Sequence, residues 1–272
     1  MNASAEGPAA PPAAWQPLTF GGVAAFAGAR LGRLLAAELA AAIMVAACAV
    51  WFLHRAYCPV ILQAIQKMPD TARVAQGALQ GVPDTLIAES KFLAIAATPR
   101  TGGDIGQGAD LQIEFRQHDF CAGSVFWPDW GLDFPYRRGT VIALARSNLE
   151  PWWSAWQPVL LTAAGAGAVL ILLLAWAVLA SIYMAPAKFI AWFADRYLPW
   201  GGAWRLASAA LLPGAAVLAG AMILYGWNVI DLVGLSFLVT IHIILGWIYL
   251  VGGSCKVTRL FPAHSNRNPF TE

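Results

Sequence analysis

The sequence predicts a membrane α-helical bundle of four transmembrane helices, with a small mainly-β extracytoplasmic domain inserted between helices 1 and 2. Three observations predict it. Hydrophobic residues make up 59% of the chain and charged residues 12%, about half the charged share of an ordinary soluble domain. Four apolar runs, Leu34–Leu53, Val159–Met184, Ala207–Tyr225 and Val229–Val251, each reach about the 18 residues a spanning helix requires. Between the first and second run lies a segment of roughly a hundred residues, long enough for one modest core, in which short strand-like stretches alternate with Gly and Pro clusters.

Residues 1–31 come first. Pro8, Pro11 and Pro12 in an Ala/Gly-rich stretch predict a disordered tail over at least residues 1–14. Leu18, Phe20, Val23, Phe26 and Leu31 are compatible with an interfacial helix lying along the membrane, or with the loose start of a slightly long first span. Helix 1 is expected over residues 32–53. Val45-Ala46-Ala47-Cys48 resembles a lipidation box, but the apolar run continues through Leu53 and begins about thirty residues in, which suits an uncleaved anchor better than a signal peptide.

The extracytoplasmic domain is expected over residues 54–156. Val60, Ile61, Leu62, Ile65 and Met68 recur at helical spacing and predict that the first helix continues beyond the membrane. Strands are expected at Thr71–Leu79, Leu86–Ala97, Asp110–Phe115, Phe120–Phe126 and Thr140–Ala145. Loops are expected at Gly81–Pro83, Pro99–Gly108 and Trp127–Pro135. Cys58 and Cys121 fall in this domain, where an oxidising compartment permits a disulfide; two separate buried thiols are the alternative. Closing a loop of about sixty residues is worth about 4 kcal/mol in chain-entropy models.

Trp152, Trp153 and Trp156 are expected as interfacial aromatics that lay the end of this domain on the membrane. Helix 2 follows at 157–184, then a cytoplasmic interfacial loop at 185–206, helix 3 at 207–225, helix 4 at 229–251 and a cytoplasmic tail at 252–272. Ala163–Ala168, Ala209, Gly214, Ala216 and Gly220 permit close helix packing, and Pro213 is positioned to bend helix 3. Arg30, Arg33, Lys188, Arg196, Arg205, Lys256, Arg259 and Arg267 flank one side of the spans. Basic residues beside a span are retained in the cytoplasm, so both termini are expected there, in a multi-pass protein of the plasma (inner) membrane.

Ionisable residues within a bilayer invite a functional explanation. Glu38 lies about one turn into helix 1, His242 near the middle of helix 4 and Asp231 at its outer end; Asp231, His242 and Tyr249 fall on one helical face. A proton or ligand path is one reading. A buried His bonded to a neighbouring helix, with Asp231 at the headgroups and Glu38 paired to a nearby Arg, is the other. In the outward domain Glu114, His118 and Cys121 form only an approximate ligand set that strand geometry would split between faces. No metal site, catalytic residue or cofactor is predicted, and no nucleophile-elbow, zincin or phosphate-loop motif occurs. A net charge of +2 without a concentrated basic patch gives no sign of nucleic-acid binding.

Trp204-Arg205-Leu206-Ala207, Pro213-Gly214, Tyr225, Asp231-Leu232 and His242, with an outward domain after the first span, resemble uncharacterised bacterial polytopic membrane proteins of the Yip-type superfamily. The resemblance implies a membrane-organising or partner-binding role and no catalytic residues, although the outward sheet departs from the simplest members. The expected function is therefore a non-catalytic partner-binding or membrane-organising protein of the cell envelope, in contact with membrane lipid and with a protein partner or a second copy of itself. The alternatives are a small transporter or channel-like subunit using Glu38 and His242, and a membrane enzyme acting on lipid or glycan through His118, Asp119 or the Trp152 cluster.

Overall fold

A computed structural model describes residues 16–99 and 108–258, the side chains of 127–130 excepted. The tail expected over residues 1–14, most of the Pro99–Gly108 loop, and Arg259 and Arg267 lie outside the described residues. The described elements run α1 (Phe20–Phe26), α2 (Leu31–Ala56), α3 (Cys58–Lys67), eight short strands, then α4 (Arg146–Phe193), α5 (Trp200–Gly226) and α6 (Leu232–Lys256). The order is one long apolar helix, a sheet region, and three more long apolar helices. Four helices, counting Leu31–Lys67 as one, are long and apolar enough to cross a membrane. The chain divides into two compact units: residues 1–47, 166–225 and 233–272 form the first, and residues 48–165 and 226–232 the second.

In the first unit α5 is the central helix. Residues 206–210 are all buried, and four of these five, Leu206, Ala207, Ala209 and Ala210, join Leu34, Ala180, Ala187, Ala191 and Leu250 in one apolar cluster. Small side chains let backbones approach: a Cβ on Gly214 would lie 2.7 Å from the His242 carbonyl oxygen. The outer faces of α4 and α6 are apolar and exposed, as at Ile171, Leu174, Val233 and Phe237. Within the stretch Leu18–Leu31, Phe20–Phe26 forms a separate short helix, α1, and Leu31 begins α2. Thr19 caps it by accepting from the Gly22 amide at 3.0 Å, and Val23 and Phe26 are buried in the same cluster.

In the second unit Pro59 stands in the first turn of α3, where its missing N–H is tolerated. A separate ten-residue helix therefore follows α2 after Tyr57. Val60, Ala64 and Ile65 of α3 are buried in the unit's core together with Ile87, Leu93 and Ile95. The larger sheet has five strands: β3 (Thr85–Glu89), β4 (Leu93–Thr98), β5 (Leu111–Arg116), β6 (Asp119–Ser124) and β7 (Trp127–Pro135), in that order, with only β4 and β5 parallel. Every residue of β4 is buried, as a strand covered on both faces requires. The smaller sheet joins β1 (Arg73–Ala75), β2 (Ala78–Gln80) and β8 (Ile142–Ala143) in the order β2-β1-β8.

Three sequence expectations are corrected here. Thr71–Leu79 is a hairpin rather than one strand: Gln76 and Gly77 take φ of 57° and 77° between Ala75 and Ala78, the two-residue loop that matches strand twist. Leu86–Ala97 is likewise a hairpin, turned at Ser90, whose hydroxyl accepts from the amides of Phe92 and Leu93 at 3.2 Å each. Trp127–Pro135, expected as a loop, is the longest strand, β7; its prolines lie at the second and last positions of an edge strand, where a missing donor is tolerated.

Candidate functional site

Three regions hold polar or exposed groups that the packing of the fold does not by itself explain. The first lies among the long helices. Glu38 on α2 is buried, one turn from Leu34 and one from Ala42, both also buried. Its Oε1 accepts a hydrogen bond from the Ser208 hydroxyl on α5. The expected arginine partner is thus replaced by a hydroxyl, because α5 presents its small buried face to this stretch of α2. His242 turns back on its own helix, with Nδ1 2.6 Å from the Val239 carbonyl oxygen. The Tyr249 hydroxyl donates to the Leu18 carbonyl at 2.7 Å, and its ring lies 5.0 Å from that of Phe20. Asp231 is exposed, just before α6. The expected stripe is therefore divided among separate partners, and Glu38 and His242 share none of them.

The second region is a cavity of about 640 Å³ in the first unit. One wall is α1 and the turn after it, and the other is the α4–α5 connection with the end of α6. Arg33, Arg205 and Lys256 line it, and none of its described lining residues is acidic. Arg205 donates from Nε and Nη2 to the Ala27 carbonyl, at 3.1 and 2.8 Å, which fixes the guanidinium against the end of α1. The opposite wall is tied by the Tyr197 amide to Thr258 O at 3.1 Å and by Arg196 Nη1 to Val257 O at 2.8 Å. In the sequence these basic residues mark only the orientation of the spans. Their meeting around one cavity depends on the packing of α1, which sequence spacing does not encode.

The third region is the β5–β7 part of the larger sheet. Phe115, Phe120 and Phe134 stand opposite one another across three strands, with ring centroids 6.3 and 4.7 Å apart. Their face becomes exposed toward the edge, where Leu132 is 66% and Phe134 45% accessible. On the other face Arg116 pairs with Glu114 at 2.8 Å and Asp133 at 3.3 Å, and Glu114 also accepts from the Thr98 hydroxyl. The Glu114 hydrogen bond raises the Arg116 pKa above its ordinary value.

Cys121 lies on this polar face, and burial followed by the hydrogen bond with Asp133 pushes its thiol pKa up. Cys58, at the start of α3, has the Gln157 side chain as its polar neighbour instead. Both cysteines are free and buried, so the pairing contemplated from sequence is not formed here: each thiol is engaged by a different neighbour.

His118 Nδ1 lies 3.2 Å from the Gly77 carbonyl oxygen, and no group of three potential metal ligands occurs among the described residues. Asp119 Oδ1 and the Tyr136 hydroxyl are buried without a hydrogen-bond partner, and burial, with Asp119 nearby, raises the Tyr136 pKa.

Trp152, Trp153 and Trp156 belong to the first turns of α4, not to a separate surface segment. Trp152 and Trp156, four residues apart on that helix, stack at 6.4 Å and are exposed. The segment expected as an interfacial loop at 185–206 holds the last turns of α4, a tight turn in which Asp195 takes a φ of 55°, and the first turns of α5. Compared with family models, with curated proteins and with solved structures, the chain matches none of them.

Proposed function

We propose that this is a non-catalytic, partner-binding protein of the cell envelope, spanning the plasma membrane four times with both termini in the cytoplasm. The exposed apolar faces of α4 and α6 support spanning, because such surface is stable against lipid and not against water. At about 1.5 Å per residue the 48 residues of α4 extend about 72 Å, more than twice the roughly 30 Å hydrocarbon core. It would therefore project on both sides of the membrane. The positive-inside rule puts Arg33, Lys188, Arg205 and Lys256 in the cytoplasm and the second unit outside.

The observation that carries partner binding is the edge of β7. It is the last strand of its sheet and has Leu132 and Phe134 exposed. An extended segment of an envelope protein, added as a further strand with apolar side chains on Leu132 and Phe134, fits that edge.

The test is affinity purification of the full chain from its native membrane in mild detergent, with wild type and the Leu132→Lys/Phe134→Lys variant compared by quantitative mass spectrometry. A protein recovered in fixed proportion with wild type and lost with the variant is expected. Equal recovery with both, or no partner at all, overturns the reading and turns attention to flux through the Glu38 and His242 region.

A further inference from the structure

Arg137 and Arg138 follow closely on the end of β7 and are exposed. Neither guanidinium has a hydrogen bond or an ion pair among the described residues, whereas the carboxylate on the strand itself is balanced: Asp133 pairs with Arg116 at 3.3 Å. The turn that carries the two arginines is fixed. The Thr140 hydroxyl donates to the Arg137 carbonyl at 2.8 Å, and Gly139 takes a φ of 86°. The Arg138 stem lies over the β1–β2 hairpin, its Cγ 3.1 Å from where a Cβ on Gly77 would stand. A packed stem leaves the charged head in water with part of its side-chain freedom already lost.

The pairing of β6 with β7 determines what the edge beside these arginines offers. Asp119 stands opposite Pro135 and Phe120 opposite Phe134, and the Tyr136 amide donates to the His118 carbonyl at 2.9 Å. Hydrogen-bonded and non-hydrogen-bonded positions alternate along an antiparallel pair, so Phe134 and Tyr136 turn their backbone groups to β6 while Asp133 and Pro135 turn theirs outward. The Asp133 N–H and the carbonyls of Asp133 and Pro135 are therefore open to a further strand. Leu132 and Phe134 supply exposed apolar surface alongside them.

From these observations we infer that the strand added at β7 is an acidic segment: it runs antiparallel to β7, sets apolar side chains on Leu132 and Phe134, and carries carboxylates at its N-terminal end that meet Arg137 and Arg138. The inference rests on the edge reading given above and adds the charge of the partner. The antiparallel direction continues the alternation of β5, β6 and β7, and it places the start of the incoming strand beside the end of β7. The planar fork of a guanidinium matches a carboxylate. An anionic lipid headgroup would satisfy the arginines equally well, but it leaves the outward backbone groups of Asp133 and Pro135 without a strand to pair with.

The probe is the fluorescent heptapeptide Glu-Glu-Thr-Val-Thr-Val-Thr, with Gln-Gln and Lys-Lys counterparts, titrated by anisotropy against the full-length chain in neutral detergent at low ionic strength. The Glu peptide is expected to bind about threefold to tenfold tighter than the Gln peptide, as two exposed charge pairs permit, and the Lys peptide weakest. Added salt is expected to erase the difference. Arg137→Gln/Arg138→Gln is expected to bind the Glu and Gln peptides equally. Arg137→Glu/Arg138→Glu is expected to prefer the Lys peptide, a reversal that loss of folding cannot produce. Leu132→Asn/Phe134→Asn, which adds no charge, is expected to lose all three. If wild type binds the Glu and Gln peptides equally and Leu132→Asn/Phe134→Asn binds neither, the acidic partner is overturned and the edge reading stands. No binding of any peptide to wild type overturns both together. A Glu preference that persists in Leu132→Asn/Phe134→Asn, or displacement of the Glu peptide by phosphatidylglycerol vesicles, assigns the arginines to an anionic surface without strand addition and overturns the inference. A wild-type dimer that becomes monomeric in Arg137→Gln/Arg138→Gln assigns the edge to a second copy and overturns it as well.

Discussion

The Ser208 hydroxyl donates to Glu38 Oε1 between two helices whose surrounding side chains are almost all apolar. A buried acceptor deprived of its donor loses about 1–3 kcal/mol. Ser208→Ala is therefore expected to lower the thermal midpoint of the detergent-solubilised protein by several degrees, whereas Glu38→Gln, which keeps an acceptor oxygen, lowers it less. Differential scanning fluorimetry of both variants checks this order. If Glu38→Gln instead leaves stability untouched and abolishes a measurable ion or solute flux in proteoliposomes, the pair belongs to a transport path and not to packing.

Gly214 and Gly220 lie on the same helix and are expected to respond oppositely to alanine. A methyl at Gly214 would meet the His242 carbonyl at 2.7 Å and force α5 from α6, whereas nothing lies within 4 Å of a Cβ at Gly220. Gly214→Ala is expected to destabilise by about 1–3 kcal/mol, as overpacking does. Gly220→Ala is expected to be neutral or stabilising by up to about 1 kcal/mol, since glycine weakens a helix interior. Steric trapping or denaturant unfolding in detergent measures the difference; equal responses would mean that α5 and α6 do not pack through Gly214.

Gly81 ends the β1–β2 hairpin with a φ of 76°, and a Cβ there would collide with the Thr71 carbonyl. The same turn is closed by Thr71 Oγ1, which donates to the Gly81 carbonyl at 3.0 Å. Gly81→Ala combines left-handed backbone strain, worth about 1–2 kcal/mol, with that collision. Increased proteolysis within residues 71–81 is the expected sign, with the four long apolar helices unaffected. A variant as resistant as wild type would show that the turn adopts another conformation.

The long apolar runs made four helices legible from sequence, because hydropathy over about twenty residues is a strong signal. The same signal gives no end point. Trp152 to Trp156 and Pro186 to Phe193 continue α4 at both ends although Pro151 and Pro186 stand inside it, since a proline within a long apolar helix removes one backbone hydrogen bond without having to end the helix. In the sheet region, alternation located strand-bearing stretches but not the turns within them, which depend on the Ser90 hydroxyl and on positive φ at Gln76 and Gly77. Glu38 was identifiable as a carboxylate within a long apolar run, yet Ser208 as its partner was not, because a serine in an apolar helix carries no periodic signature. The basic cavity was missed for a related reason: Arg33, Arg205 and Lys256 are far apart in the chain and meet only in the fold.

Cys58 and Cys121 are separate buried thiols, and the environment of Cys121 gives the second unit an alkaline limit. Burial, then the Asp133 hydrogen bond, raises the Cys121 pKa in the folded chain. The unfolded chain therefore releases that proton first as pH rises past about 8.5, the ordinary thiol value. A raised folded pKa contributes stability that is fully present below the unfolded pKa and is lost as pH climbs through the folded one. Tyr136 acts in the same direction, raised by burial and by Asp119, with its contribution beginning to fade above about pH 10. Unfolding of the full chain, followed by backbone amide signals assigned to β5–β7, is expected to become easier between about pH 8 and pH 11. Cys121→Ala is expected to flatten the first part of that decline while leaving the later part. Mass spectrometry of unreduced, denaturant-alkylated protein should find both Cys58 and Cys121 modified. A peptide linking the two would refute separate thiols, and an unchanged slope in Cys121→Ala would remove the thiol from the alkaline limit and leave Tyr136 as its source.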